Sequence, residues 1–106
     1  MPLTRSFRET VQARARRDRR FRLALLQEAT DLFLSGDVAA GKIMLRDYVN
    51  ATVGFAELAE AVDTPSKSLM RMLSPAGNPR AANLFAVIAQ LQKLEGVQLR
   101  VGHSRV

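Results

Sequence analysis

FAELAEAVDTPSKSLMRMLS, residues 55–74, contains two short helix patterns separated by a single turn. In the first, Phe55, Leu58, Ala59 and Val62 recur on one face at helical spacing. Asp63-Thr64-Pro65 stops that pattern and starts another, since Thr64 is a good N-cap and Pro65 is pre-set for the first helical position. The second pattern places Leu69, Met72 and Leu73 at i, i+3 and i+4 on an inward face. Two helices joined this tightly predict a helix–turn–helix, and the small Ala59 allows the second to cross the first closely.

The outward face of the second helix carries Ser66, Lys67, Met70, Arg71 and Ser74, with Thr64 at its start. A helix that enters a DNA major groove needs short polar or basic side chains, and an apolar one only where a thymine methyl meets it. Ser66, Lys67 and Arg71 meet the first requirement. Met70 has two readings, a base contact or a contact with protein. No acid occurs between Thr64 and Arg80, as suits a surface pressed against phosphates.

Upstream, the pattern stays helical. Ser6-Phe7-Arg8-Glu9 fits a capping box, and Phe7, Val11 and Ala15 step by four behind it. A second helix is expected from about Asp18 to Ser35, with Phe21, Leu25, Ala29, Leu32 and Phe33 inward. Gly36 supplies a stop and Asp37 an N-cap for a third helix over 38–51, with Val38, Leu45, Tyr48 and Val49 on one face. Gly41 sits inside that helix at a cost of about 1 kcal/mol relative to Ala. Downstream, Leu84, Val87, Ile88 and Leu91 mark a further core helix. Val97, Leu99 and Val101 then alternate with Gln98 and Arg100, the pattern of a half-buried strand. In a helical chain such a strand stays coil, packs as an arm, or pairs with another chain.

The 106 residues carry a net charge of +6, spread unevenly. Residues 1–36 hold eight Arg against Glu9, Asp18, Glu28 and Asp31, and six of those Arg fall within Arg14–Arg22. Arg14, Arg16, Arg17, Arg19 and Arg20, together with Arg80, are candidate phosphate contacts, because the guanidinium fork suits phosphate oxygens. The competing reading of the cluster is a solvated helix face.

Other chemistry is thin. There is no cysteine, and the single histidine, His103, lies in a polar tail without a titratable partner. No dinucleotide, Walker or H-E-x-x-H motif occurs, so neither an enzyme, a cofactor nor a metal site is expected. No run reaches the roughly 18 apolar residues of a membrane span, and residues 1–20 lack the apolar stretch of a secretory signal. A cytoplasmic protein is the expectation.

Residues 38–101 resemble the Xre/Cro-type helix-turn-helix of HigA-like antitoxins, the probable addiction module antidote proteins. Leu58-Ala59 resembles the opening of that motif, and Leu69 and Met72 its buried recognition-helix positions. Leu73-Ser74-Pro75 with Gly77-Asn78-Pro79 resembles the loop that follows, which is the most specific part of the likeness. Two features depart from the family pattern: Asp63, where the turn usually carries Gly, and the Arg-rich segment before residue 37. The resemblance implies a repressor of its own operon that also binds a partner toxin of the RelE/HigB type. Toxins of that type are basic, so contacts away from Arg14–Arg22 are implied.

The expected architecture is all-α: an Xre/Cro-like bundle of five or six helices. Residues 1–36 form an Arg-rich helical extension, 37–95 the helix-turn-helix domain, and 96–106 a short strand or arm. The expected function is sequence-specific binding of double-stranded operator DNA by a homodimer, as an antitoxin-type transcriptional repressor. Two rivals are a stand-alone regulator without a toxin and a helical protein-interaction module.

Overall fold

The computed structural model describes residues 5–105. The ends of the expected extension and arm, residues 1–4 and 106, lie outside the described residues. Six helices follow in order: α1 Arg5–Arg17, α2 Arg19–Leu34, α3 Val38–Ala51, α4 Phe55–Ala61, α5 Ser66–Met72 and α6 Ala81–Glu95. No strand occurs among the described residues. The chain is all-α.

Local chemistry accounts for most boundaries. Asp18 is extended and caps α2 by accepting from the Phe21 amide at 3.1 Å, which breaks the Arg-rich run without Gly or Pro. Asp37 caps α3 in the same way through the Ala40 amide. Gly36 adopts φ +90° between them, and the Asp37 amide returns to the Leu32 carbonyl, closing α2. Gly41 lies under the Phe33 ring: a Cβ there would stand 2.8 Å from it. Close approach of α2 and α3 explains a glycine that helix propensity alone disfavours.

A single buried cluster runs through all six helices, from Ala15 and Leu26 through Leu45, Tyr48 and Val49 to Leu58, Leu69, Val87 and Leu91. Burying one large side chain of this kind stabilises by about 1.5–3 kcal/mol. The segment read as an extension contributes Ala15, Leu25, Leu26 and Ala29 to this core, so α1 and α2 share the hydrophobic interior of α3.

Four expectations need correction. Ser6 does not cap a helix start, because α1 is already helical at Arg5 and the Ser6 carbonyl accepts from the Thr10 hydroxyl inside it. Val38, expected on the buried face of α3, is 41% exposed because it opens the helix at the α2–α3 turn. Pro65, not Thr64, holds the N-cap position of α5, and its carbonyl accepts from the Ser68 and Leu69 amides. Residues 97–105 form no strand. The Val97 amide bonds to the Gln92 carbonyl and the Leu99 amide to the Gln92 side chain at 2.8 Å, so the arm folds back on α6. Leu99 packs on the core, whereas Val101 stays 76% exposed.

Candidate nucleic-acid interface

The turn between α4 and α5 forms because one residue accepts a left-handed backbone. Asp63 has φ +51°, and the Thr64 amide reaches back to the Ala59 carbonyl at 3.0 Å while the Asp63 amide bonds Glu60. This is a Schellman closure of α4, and Asp serves there because its short polar side chain tolerates the conformation better than most. The Thr64 hydroxyl donates to the Val62 carbonyl at 3.2 Å instead of capping α5.

From this turn α5 presents two faces. Leu69 is buried and Leu73, its C-cap, is 1% exposed, while Met72 packs against the same core. Lys67, Met70 and Arg71 face outward, with Met70 48% exposed. Ser66 and Ser74 are half-buried. The Ser74 hydroxyl is committed to the Arg71 carbonyl at 2.7 Å, which removes it as a donor to an outside partner.

A groove of about 790 Å³ separates α5 from the start of α6. Thr64, Ser68 and Arg71 line one wall, and Asn78, Arg80 and Asn83 line the other. Sequence reading included Thr64, Arg71 and Arg80 but missed Ser68, Asn78 and Asn83. Ser68 had a signal: it lies four residues after Thr64 and three before Arg71, hence on one helix edge with them. The two asparagines had none, because their place depends on how the 74–80 loop returns.

That loop is held from beneath. Lys42 of α3 is 5% exposed, and its Nζ donates to the carbonyls of Ser74 at 3.0 Å, Pro75 at 3.3 Å and Gly77 at 2.7 Å. Arg46, one turn further along α3, donates to the Leu73 carbonyl at 3.5 Å. Arg46 thus satisfies the carbonyl of the α5 C-cap, where helix carbonyls lack internal partners, and Lys42 satisfies carbonyls of the loop that follows. Gly77 closes against the same end: a Cβ there would lie 2.0 Å from the Arg71 carbonyl oxygen.

The arginine cluster divides into committed and open members. Arg14 pairs with Asp18 at 3.7 Å and lies 4.4 Å above the Phe21 ring. Arg22 grips Glu95 with two hydrogen bonds of 2.8 and 3.3 Å, and Arg19 approaches the same carboxylate at 3.7 Å. Tyr48, 1% exposed, donates to Glu95 at 2.6 Å. Burial pushes the Glu95 carboxyl up, but hydrogen bonds from Arg22 and Tyr48, with the Arg22 and Arg19 charges, outweigh it and hold its pKa below the ordinary value. Burial, then the bond to Glu95, pushes the Tyr48 phenol well above its ordinary range. The hydrogen bond to Glu95 raises Arg22 further. Arg16, Arg17 and Arg20 are exposed and make no ion pair among the described residues.

Distance separates the two basic regions. Arg80 stands at the N-terminus of α6 and Glu95, with its arginines, at the C-terminus. A helix of this length spans about 20 Å, so the cluster and the α5 groove occupy opposite ends of the domain. Comparison with protein-family models, curated proteins and solved structures returns no match for this chain.

Proposed function

We propose that this chain binds double-stranded DNA in a sequence-dependent way, with α5 entering the major groove. The observation that carries the reading is the α5 face: Lys67, Ser68, Met70 and Arg71 are exposed together, on a helix whose far end is anchored by Lys42 and Arg46. Short polar and basic side chains on a rigidly held helix are what groove reading requires. Arg71 and Lys67 contact base edges or nearby phosphates, Met70 meets a thymine methyl, and Arg80 and the open arginines Arg16, Arg17 and Arg20 contact phosphates. A homodimer reading two half-sites is the matching assembly. Regulation of its own operon, neutralisation of a RelE/HigB-type toxin and a cytoplasmic setting rest on the antidote resemblance, most specifically on Leu73-Ser74-Pro75 and Gly77-Asn78-Pro79.

The test compares binding of the full chain to DNA from upstream of its own gene and to a scrambled duplex, over a salt series. Arg71→Ala is expected to narrow the specificity ratio, because a good base contact contributes about 1–3 kcal/mol of discrimination. Neutralising Arg16, Arg17 and Arg20 together is expected to weaken both duplexes alike and flatten the salt slope by up to about 0.9 per lost phosphate contact. No binding to either duplex at low salt overturns the reading in favour of a protein-interaction module. Co-expression with the adjacent gene product checks the toxin: a complex and restored growth support it, and repression without either leaves a stand-alone regulator.

A further inference from the structure

A second concavity lies away from α5, where α1, α2 and α3 meet. It has a volume of about 320 Å³ and walls of Phe7, Phe21, Leu25, Ile43 and Met44. Two carboxylates border this apolar space, the buried Asp47 from α3 and the exposed Glu28 from α2. No Lys, Arg or His stands among its described lining residues.

Asp47 is the unusual member. It is only 7% exposed, and its one side-chain hydrogen bond among the described residues comes from Gln12 Nε2 to Oδ1, at a long 3.4 Å. None of the ion pairs among the described residues involves it. Every fully buried side-chain polar atom among the described residues has a hydrogen-bond partner. Asp47 Oδ2 has none and so is not fully buried, and Asp47 is one of the residues that line the cavity. A carboxylate nine-tenths buried among apolar side chains, with one oxygen open, lacks the cation that ordinarily accompanies such a group.

We infer that this cavity binds a small hydrophobic cation, an ammonium on an aromatic or short aliphatic body. The ammonium pairs with Asp47 Oδ2 while the body packs against Phe7, Phe21 and Met44. A desolvated pair attracts more strongly than one in water. The volume sits at the lower end of small-molecule sites, about 300 Å³ and upward, which limits the ligand to roughly one ring and a short tail. An anion meets two carboxylates here, and a neutral ligand leaves Asp47 unpaired. A metal ion finds no ligand set, since the described residues contain no cluster of three metal-ligating side chains. The inference stands apart from the DNA reading.

Phenethylamine is the probe, with 2-phenylethanol and phenylacetate as neutral and anionic counterparts of the same skeleton. Each is titrated into the full chain by calorimetry, with amide chemical shifts locating the site. The amine is expected to bind with shifts at Phe21, Met44 and Asp47, about tenfold tighter than the alcohol. Asp47→Asn should abolish that preference, bringing amine affinity down to or below that of the alcohol, and Glu28→Gln should reduce it less. Because Asp47→Asn acts in the interior, circular dichroism checks its fold. Ala24→Phe supplies the second route, filling the cavity from an exposed position on α2 and removing amine binding with Asp47 intact. No saturable amine binding, equal affinity for amine and alcohol, or amine affinity retained in both variants overturns the inference. Shifts confined to other surfaces, or self-association in place of amine binding, also overturn it.

Discussion

The Lys42 ammonium stands 2.7 Å from the Gly77 carbonyl oxygen, 35 residues further along the chain. The same ammonium also holds the Ser74 and Pro75 carbonyls, so one buried cation gathers the turn that follows α5. A carboxylate partner would have tied the lysine to one side chain, whereas the three carbonyls tie it to the backbone of the loop at three points. The orientation of α5 relative to α3 rests on this contact and on Arg46 beside it.

Lys42→Met retains the aliphatic stem but removes the donor to the Pro75 and Gly77 carbonyls, while the Ser74 carbonyl keeps the Gly77 amide. The cost of leaving a buried polar group unpaired is about 1–3 kcal/mol. The denaturant midpoint should fall accordingly, and amides of residues 74–80 should exchange faster than those of α2. A midpoint equal to the parent's would mean that water replaces the ammonium without penalty.

Gly77→Ala tests the closure from the other side. Its Cβ would lie 2.0 Å from the Arg71 carbonyl and 2.7 Å from that of Met72, both backbone atoms that move only with the helix. Overpacking of this kind typically costs about 1–3 kcal/mol, read as a lowered Tm. Gly102→Ala is the control, because a Cβ there meets nothing within 4 Å. It should stay within about 0.5 kcal/mol of the parent. Equal effects of the two substitutions would show that helix and loop can separate cheaply.

The Arg22–Glu95–Tyr48 cluster makes stability depend on pH at both ends. Glu95 is held below its ordinary value, so its contribution is present above about pH 4.3 and is lost as pH falls through the lowered value. Tyr48 is raised, so its contribution is present below about pH 10 and is lost as pH rises toward the raised value. Urea unfolding across pH should therefore show Glu95→Gln flattening the acid limb and Tyr48→Phe the alkaline one. An acid limb unchanged in Glu95→Gln would place the acid sensitivity in other carboxylates.

Several local features are legible in the sequence alone. The helix–turn–helix at 55–74, the third helix over 38–51 and the stop at Gly36 all follow from periodicity and cap residues within a few positions of each other. Asp63 takes the left-handed backbone at the place where the resembled turn usually carries Gly, and Asp is among the few residues that adopt it. On the candidate interface, the outward placement of Lys67, Met70 and Arg71 follows from the inward spacing of Leu69, Met72 and Leu73.

What the amino-acid order determined by itself was therefore local: which segments are helical, where most of them end, and which face of α5 is apolar. Tertiary structure decided the rest, because it depends on groups far apart in the chain. Arg14 through Arg22 read as one positive block, yet Glu95, 73 residues from Arg22, engages Arg19 and Arg22, while Asp18 engages Arg14. The alternation at 97–101 promised a strand, but a strand needs a backbone partner, and the arm instead uses Gln92 of α6. Asp47 belongs to an ordinary helix pattern, and only the packing of α1 and α2 on α3 buries it beside an apolar space with Gln12 as its partner. Helix propensity acts over neighbouring residues; neutralisation, clamping and enclosure act only once the chain has folded.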